Sequence, residues 1–172
     1  MIKKKFSLVI IFLFLMIKPI LSKEVIVFIN IDKVINSSDI GKKLNADFDN
    51  QFKKQEKKFL DLEKNLLNKE KDIIKQKNVL NETEYKSKVS SLRAEIKKFQ
   101  LDKSNNTKKF RKLKLDQTNA LVNKLNKILS KYAEENEISL IIQKKNIVIG
   151  KSNLDITEKI MSIFNAEVKS LN

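Results

Sequence analysis

Between Phe52 and Leu80 a row of apolar residues returns every seven positions, through Phe59, Leu66 and Ile73. Its companion row, Phe48, Gln55, Leu62, Lys69 and Gln76, is mixed. Leu60, Leu67 and Ile74 each follow the strong row by one residue and widen the stripe. A heptad pattern of this kind predicts a helix packed on a broad, partly polar partner surface. A second stripe, Tyr85, Val89, Leu92, Ile96 and Phe99, alternates steps of four and three and returns in the same register at Phe110 and Leu113. Between the two stripes lies "LNETE", Leu80 to Glu84, a polar cluster with Glu82 to Lys86 and Glu84 to Lys88 in the favourable i,i+4 order. It reads either as a tip or as continuing helix. A continuous helix from 39 to 137 would run well over ~100 Å and would need partners in other chains, whereas a tip near Asn81 folds the pattern back on itself.

The second stripe is interrupted at "LDKSNNTKKFRK", Leu101 to Lys112, where the seam register falls on Lys103 and Asn106. Ser104, Asn105, Asn106 and Thr107 each cost roughly 0.5 kcal/mol relative to Ala in a helix interior, about 2 kcal/mol together. That softens a helix without breaking one flanked by apolar turns. Phe99 and Phe110 keep one frame across the gap, so the expectation is an arm that splays or bends there; a true loop is the alternative. Lys103, Lys108, Lys109, Arg111 and Lys112 are thereby exposed as candidate binding residues, because an ammonium left unpaired in the seam is costly. Past Leu113 the register gives Gln117 and then shifts to a fresh stripe, Leu121, Leu125, Ile128 and Tyr132, ending in "AEENE", where Asn136 can adopt the left-handed conformation that ends a helix.

At the two ends the period changes. "EVIVFINID" is a β-branched run of strand length, ending at Asp32, which can cap a short helix through Lys33 to Asn36. Ser37, Ser38 and Asp39 offer a second helix start, with Gly41 near the boundary. Near the C-terminus "ISLIIQ", "KKN" and "IVIG" read as strand, turn, strand, a hairpin able to join the first strand. "LDITEKIM" opens a final helix in which Asp155 and Glu158 have capping-box spacing and Ile156, Ile160, Phe164 and Val168 share a face.

The fold class is therefore α+β: a small sheet head built from 23–41 and 137–172, and a helical coiled-coil arm over 42–136 folded as an antiparallel hairpin. Val25, Val27, Ile29, Leu140, Ile142 and Val148 are the expected core and association residues of the head. Three short strands with open edges and one helix make a head of marginal size, so association of copies is expected.

Composition sharpens this picture. The chain has 2 Gly and 1 Pro in 172 residues, and Pro19 lies in "MIKKKFSLVIIFLFLMIKPILS", so no proline interrupts the helices. That opening, which begins with Lys3, Lys4 and Lys5, continues as an apolar run, breaks at Lys18 and Pro19 and reaches Ser22, is a secretory signal pattern, and its apolar run is short for a bilayer span. Residues 1–22 are thus expected to be cleaved on export. Without them 32 basic residues face 21 acidic ones, a net charge of +11, which fits an anionic partner such as a membrane surface or an acidic polypeptide. Export makes nucleic acid the poorest candidate, and no nucleic-acid partner is expected. The same charge is also what keeps a long helix soluble.

His and Cys are both absent, which removes imidazole bases, thiolate nucleophiles, disulfides and the usual zinc ligand sets. "GKS" at Gly150, Lys151 and Ser152 imitates the end of a phosphate-binding loop, but Lys145 stands where its first glycine belongs. An enzyme, a cofactor or a nucleotide is not expected.

The order of these elements resembles the Skp/OmpH family of periplasmic chaperones over essentially the whole chain after residue 22. The matching motifs are "VIVFINIDKVINSSDIGKKL", with Asp32, Val34, Gly41 and Lys42, and the closing "LDIT" at Leu154 to Thr157. The resemblance implies a homotrimer whose strands form a small shared barrel, with three helical hairpins around a cavity that holds unfolded outer-membrane proteins without ATP. Two other classes fit the same residues: an envelope spacer, and a protein of anionic membrane surfaces that would use the terminal helix as its apolar stripe.

Overall fold

The computed structural model describes residues 24–171; the expected signal segment lies outside them. In chain order the elements are β1 (Val25–Ile29), α1 (Ile31–Ser37), α2 (Asp39–Lys75), α3 (Glu82–Glu135), β2 (Ile138–Gln143) and α4 (Thr157–Glu167). The protein is mostly helical, with a small sheet.

β1 is five apolar residues with four β-branched side chains, suited to a pleated surface covered on both faces. It stops at Asn30, whose Oδ1 accepts from the Lys33 N–H at 2.9 Å. Asn30, and not Asp32, is thus the N-cap of α1, because a cap must precede the N–H it receives by two or three residues. Asp32 sits in the first turn, where a carboxylate suits the helix dipole. α1 ends and α2 begins on one residue. Fully buried Ser38 donates its N–H to Val34 O at 3.2 Å, and its Oγ accepts from Gly41 N at 3.2 Å. A Cβ on Gly41 would lie 1.9 Å from Ile35 O, so the two helices turn against each other at a separation only glycine permits.

β1 and β2 pair in parallel, from Val25 opposite Ile138 to Ile29 opposite Gln143. On the other edge of β1, Phe28 bridges Asp155 and its carbonyl accepts from Ile156 N at 2.9 Å. The expected second strand of a C-terminal hairpin does not form. Lys144–Asn146 is a 3-10 turn, and "IVIG" leaves it as irregular chain. Its apolar pattern was strand-like, but the segment at Asp155 already occupies the open edge of β1. Gly150 lies against the Phe28 ring, where a Cβ would come within 2.8 Å.

The head core joins Val27 and Ile29 to Val34, Ile35 and Ile40, to Leu121, Leu125 and Ile128 of α3, and to Ile156, Ile160, Phe164 and Val168 at α4. The shifted stripe at the end of the second arm is therefore a head surface. α3 ends at Asn136, whose side chain donates to Tyr132 O at 2.8 Å. The left-handed residue is the next one, Glu137, at φ 52°, since Asn136 stays at φ −114° to make that bond.

The capping box expected at Asp155 and Glu158 is replaced by a longer-range latch. Asp155 Oδ1 accepts from the N–H and the hydroxyl of Thr157, and Lys144 Nζ donates to its Oδ2 at 2.6 Å. Thr157 Oγ1 in turn accepts from Asn30 N at 2.9 Å. Glu158 pairs instead with Lys33 across the head. "LDIT" thus ties the end of β1, the turn after β2 and the start of α4 together. Burial pushes the Asp155 carboxyl up, but the hydrogen bonds from Lys144 and Thr157 outweigh it and hold the group below the ordinary carboxylate value.

Two outcomes are expected. Gly41→Ala, by forcing a methyl into the Ile35 carbonyl, costs about 1–3 kcal/mol, read as a lower unfolding midpoint in urea. Because the folded value of Asp155 is depressed, its contribution is present above the ordinary carboxylate value and drains away as pH falls through the folded one. Asp155→Asn therefore lowers stability at neutral pH by about 1 kcal/mol and flattens the acid limb of the stability curve below roughly pH 4.

Candidate functional site

Outside the head the chain consists of α2, α3 and the turn between them. α2 closes with a turn through Lys77 and Leu80, and Asn81 starts α3 with a reciprocal capping box: its Oδ1 accepts from Glu84 N at 2.9 Å while Glu84 Oε2 accepts from Asn81 N at 3.3 Å. The polar cluster read as a tip is this cap. Glu82 pairs with Lys86 at 2.6 Å, whereas Lys88 donates to Gln76 at 2.6 Å and leaves Glu84 to the cap.

Contacts between α2 and α3 advance along one helix as they recede along the other. Phe48 meets the Phe110 ring edge-on at 5.8 Å between centroids, and Phe52 lies 6.1 Å from the same ring. Phe59 meets Phe99 at 6.0 Å, and Lys69 pairs with Glu95 at 2.6 Å. Edge-to-face rings are worth about 0.5–1.5 kcal/mol beyond their buried area, so the phenylalanines carry the contact on the head side and polar pairs take over toward the tip.

"LDKSNNTKKFRK" is unbroken α-helix. Thr107 Oγ1 donates to Lys103 O at 2.9 Å, one helical turn back, which occupies the hydroxyl without ending the helix. The loop given as the alternative does not form, and a cleft lies beside the segment. Phe99 closes against Phe59 on one side and Phe110 against Phe48 and Phe52 on the other. A cleft of about 270 Å³ opens between them, lined by Phe52, Gln55, Phe59, Leu60, Lys103 and Thr107. Lys103 Nζ sits 5.6 Å from the Phe99 centroid, within cation–π range, so the seam lysine has an aromatic partner at the lip of the cleft.

The five basic residues singled out from the sequence are all exposed, but the helix does not gather them. At ~100° per residue, Lys103 lies on the side of Phe110 that faces α2, Lys109 and Arg111 fall on opposite flanks, and Lys108 and Lys112 lie on the far side. Only Lys103 adjoins the cleft. In the head, Val27 and Ile29 are buried, Val25 and Ile142 half-buried, Leu140 half-exposed and Val148 fully exposed. The apolar face of α4, including Ile160 and Phe164, is buried in the head core. Among the described residues no helix is long and apolar enough to cross a membrane.

The row one residue after the seam stays open. Leu60, Leu67 and Ile74 remain about half exposed, as does Phe52. Their heptad spacing was visible, but which of two adjacent apolar rows a partner helix covers is decided by packing.

No curated protein matches the chain. Among solved structures, one described as OmpH-like, from Caulobacter crescentus CB15, superposes with a TM-score of 0.80 at 15% identity, covering 87% of this chain and 89% of that one. At that identity the likeness speaks for the fold. A family model for "Outer membrane protein (OmpH-like)" matches residues 25–164, a span that takes in both strands, both long helices and most of α4. The chain belongs to the OmpH-like outer membrane protein family.

Proposed function

We propose that this protein is a chaperone that holds unfolded outer-membrane proteins in the periplasm, without ATP, and keeps them soluble for membrane assembly. The observation that carries the reading is an arm of paired helices on which apolar side chains stand exposed among a large excess of cations. Phe52, Leu60, Leu67 and Ile74 are left uncovered beside a seam that needs only Phe48, Phe59 and Leu92 to be buried. Such a surface makes many weak apolar and electrostatic contacts, so a client stays mobile and leaves when its own folded state becomes available. Membership of the OmpH-like family and the solved OmpH-like structure of the same fold support the assignment.

The working form is a homotrimer, with an antiparallel helical hairpin hanging from a shared sheet. Each chain brings a sheet of two strands, and a third copy of a pairing edge is what so small a head needs. Exposed Leu140, Val148 and Ile149 lie on and after β2, where neighbouring chains would cover them. Export through a cleaved signal segment places this trimer in the periplasm. Binding to an anionic membrane surface is the weaker reading, because the stripe on α4 that would serve it is buried.

Aggregation suppression of a denatured barrel protein tests the function. Holding should be strong at low ionic strength and weaken progressively toward ~1 M salt, where screening reaches ~3 Å. No suppression in either condition overturns the reading, and undiminished holding in high salt removes the electrostatic part. Lys103→Leu, at the cleft, with Asn106→Leu beside it makes both seam positions apolar; the pair should raise the unfolding free energy by about 1–2 kcal/mol while impairing capture of large clients.

A further inference from the structure

From Glu56 to Gln76 the sequence is one heptad repeated three times: EKKFLDL, EKNLLNK, EKDIIKQ. In each copy the fourth residue, Phe59, Leu66 or Ile73, is covered at least in part. The fifth is not: Leu60, Leu67 and Ile74 are 51%, 50% and 59% exposed. Scattered surface leucines need no explanation, but three in line at a spacing of ~10.5 Å form a rail. The second residue of each copy, Lys57, Lys64 or Lys71, lies within about 60° of that rail around the helix. All three are exposed, and among the described residues none has an ion-pair partner. The first residue of each copy, Glu56, Glu63 or Glu70, runs along the other flank, on the side of the cleft that Glu56 shares with Lys103. The rail is therefore apolar in the middle, cationic on its outer flank and anionic on the flank toward α3.

We propose that this rail on α2, continuous with the cleft at Phe52 and Lys103, is the track on which a client segment lies; the inference rests on the holdase reading. Its occupant is an extended stretch of unfolded polypeptide with apolar side chains on one face and carboxylates along one edge. The length follows from the spacing. Leu60 and Ile74 are about 21 Å apart along the helix. An extended strand at ~3.4 Å per residue returns a side chain to the same face near that distance after six residues, so about seven residues fill the track. Alternation of apolar and polar side chains over such a length is the pattern of a membrane barrel strand. The glutamates set the orientation, since carboxylates of the occupant are repelled from the α3 flank and drawn to Lys57, Lys64 and Lys71.

The test uses two fluorescein-labelled peptides of about nine residues, one alternating Val with Asp and the other Val with Lys, titrated with the full chain and read by anisotropy. The wild-type protein should bind the acidic peptide at least about tenfold more tightly than the basic one. Leu60→Ser with Leu67→Ser and Ile74→Ser should weaken the acidic peptide by about tenfold or more. Lys57→Gln with Lys64→Gln and Lys71→Gln should abolish the preference between peptides while far-ultraviolet circular dichroism stays unchanged. Lys108→Gln with Lys112→Gln, on the far side of α3, should leave both affinities unaltered. If the rail variants bind both peptides as wild type does and still suppress aggregation of a denatured barrel protein, the track is elsewhere and the holdase reading survives. If the wild-type protein neither binds peptide nor suppresses aggregation, both fail together. A serine triple that changes sedimenting mass, or one that loses phosphatidylglycerol vesicles while keeping the peptide, makes the rail a contact between copies or with lipid and overturns the proposal.

Discussion

Parallel pairing of β1 with β2 dictates the rest of this molecule. Two parallel strands cannot be joined by a tight turn; the chain must leave the end of the first and come back to the beginning of the second. Here it leaves along α1 and α2 and returns along α3. The lengths record the requirement: α2 has 37 residues and α3 has 54, an excess worth about 25 Å at 1.5 Å per residue. That excess carries the chain past the head to the start of β2. Because it passes against the sheet, it must show the head an apolar face, and Leu121, Leu125 and Ile128 supply it. The change of register after Leu113 is the point where α3 stops serving the arm and begins serving the core.

This explains which features could be read in advance. The rows Phe52 to Leu80 and Tyr85 to Phe99, the tip at Asn81, the start at Ser38 and the buried face of the terminal helix are local, each fixed by periodicity or by a cap within one turn. What escaped was decided over distance. "IVIG" has the composition of a strand, yet whether it pairs depends on Asp155, which holds the edge it would need. The apolar run "EVIVFINID" reads as strand up to Asp32 and so points to Asp32 as the cap of α1; Asn30, one residue past β1, holds the better placed oxygen. Asp155 and Glu158 have capping spacing, but Asp155 is taken up by Thr157 and Lys144, and Glu158 by Lys33 from the other end of the chain. For the candidate site, the four lysines and Arg111 are legible as exposed cations, while their sorting onto four sides of α3 is not visible in a run of letters.

The same economy governs chemistry and function. A chain without His or Cys lacks imidazole and thiolate groups, and its charges lie mostly in solvent, where single ion pairs are worth little. What remains is a surface acting by number. Apolar side chains that a better packed coiled coil would have covered are left half open, and the stability lost in the arm is made up in the head, where Phe164, Ile160, Leu125, Ile29 and Val34 are almost completely enclosed.

Ser38 has a mechanical consequence. As it closes α1 and opens α2 at once, with Gly41 packed onto Ile35, no flexible linker separates head from arm. The arm is a cantilever clamped at its root. Over the ~55 Å of α2, a tilt of about 5° at the clamp carries the tip roughly 5 Å sideways. In the proposed trimer, the room between neighbouring arms is then governed less by the residues lining them than by the angle at which a single serine and a single glycine set one helix upon another.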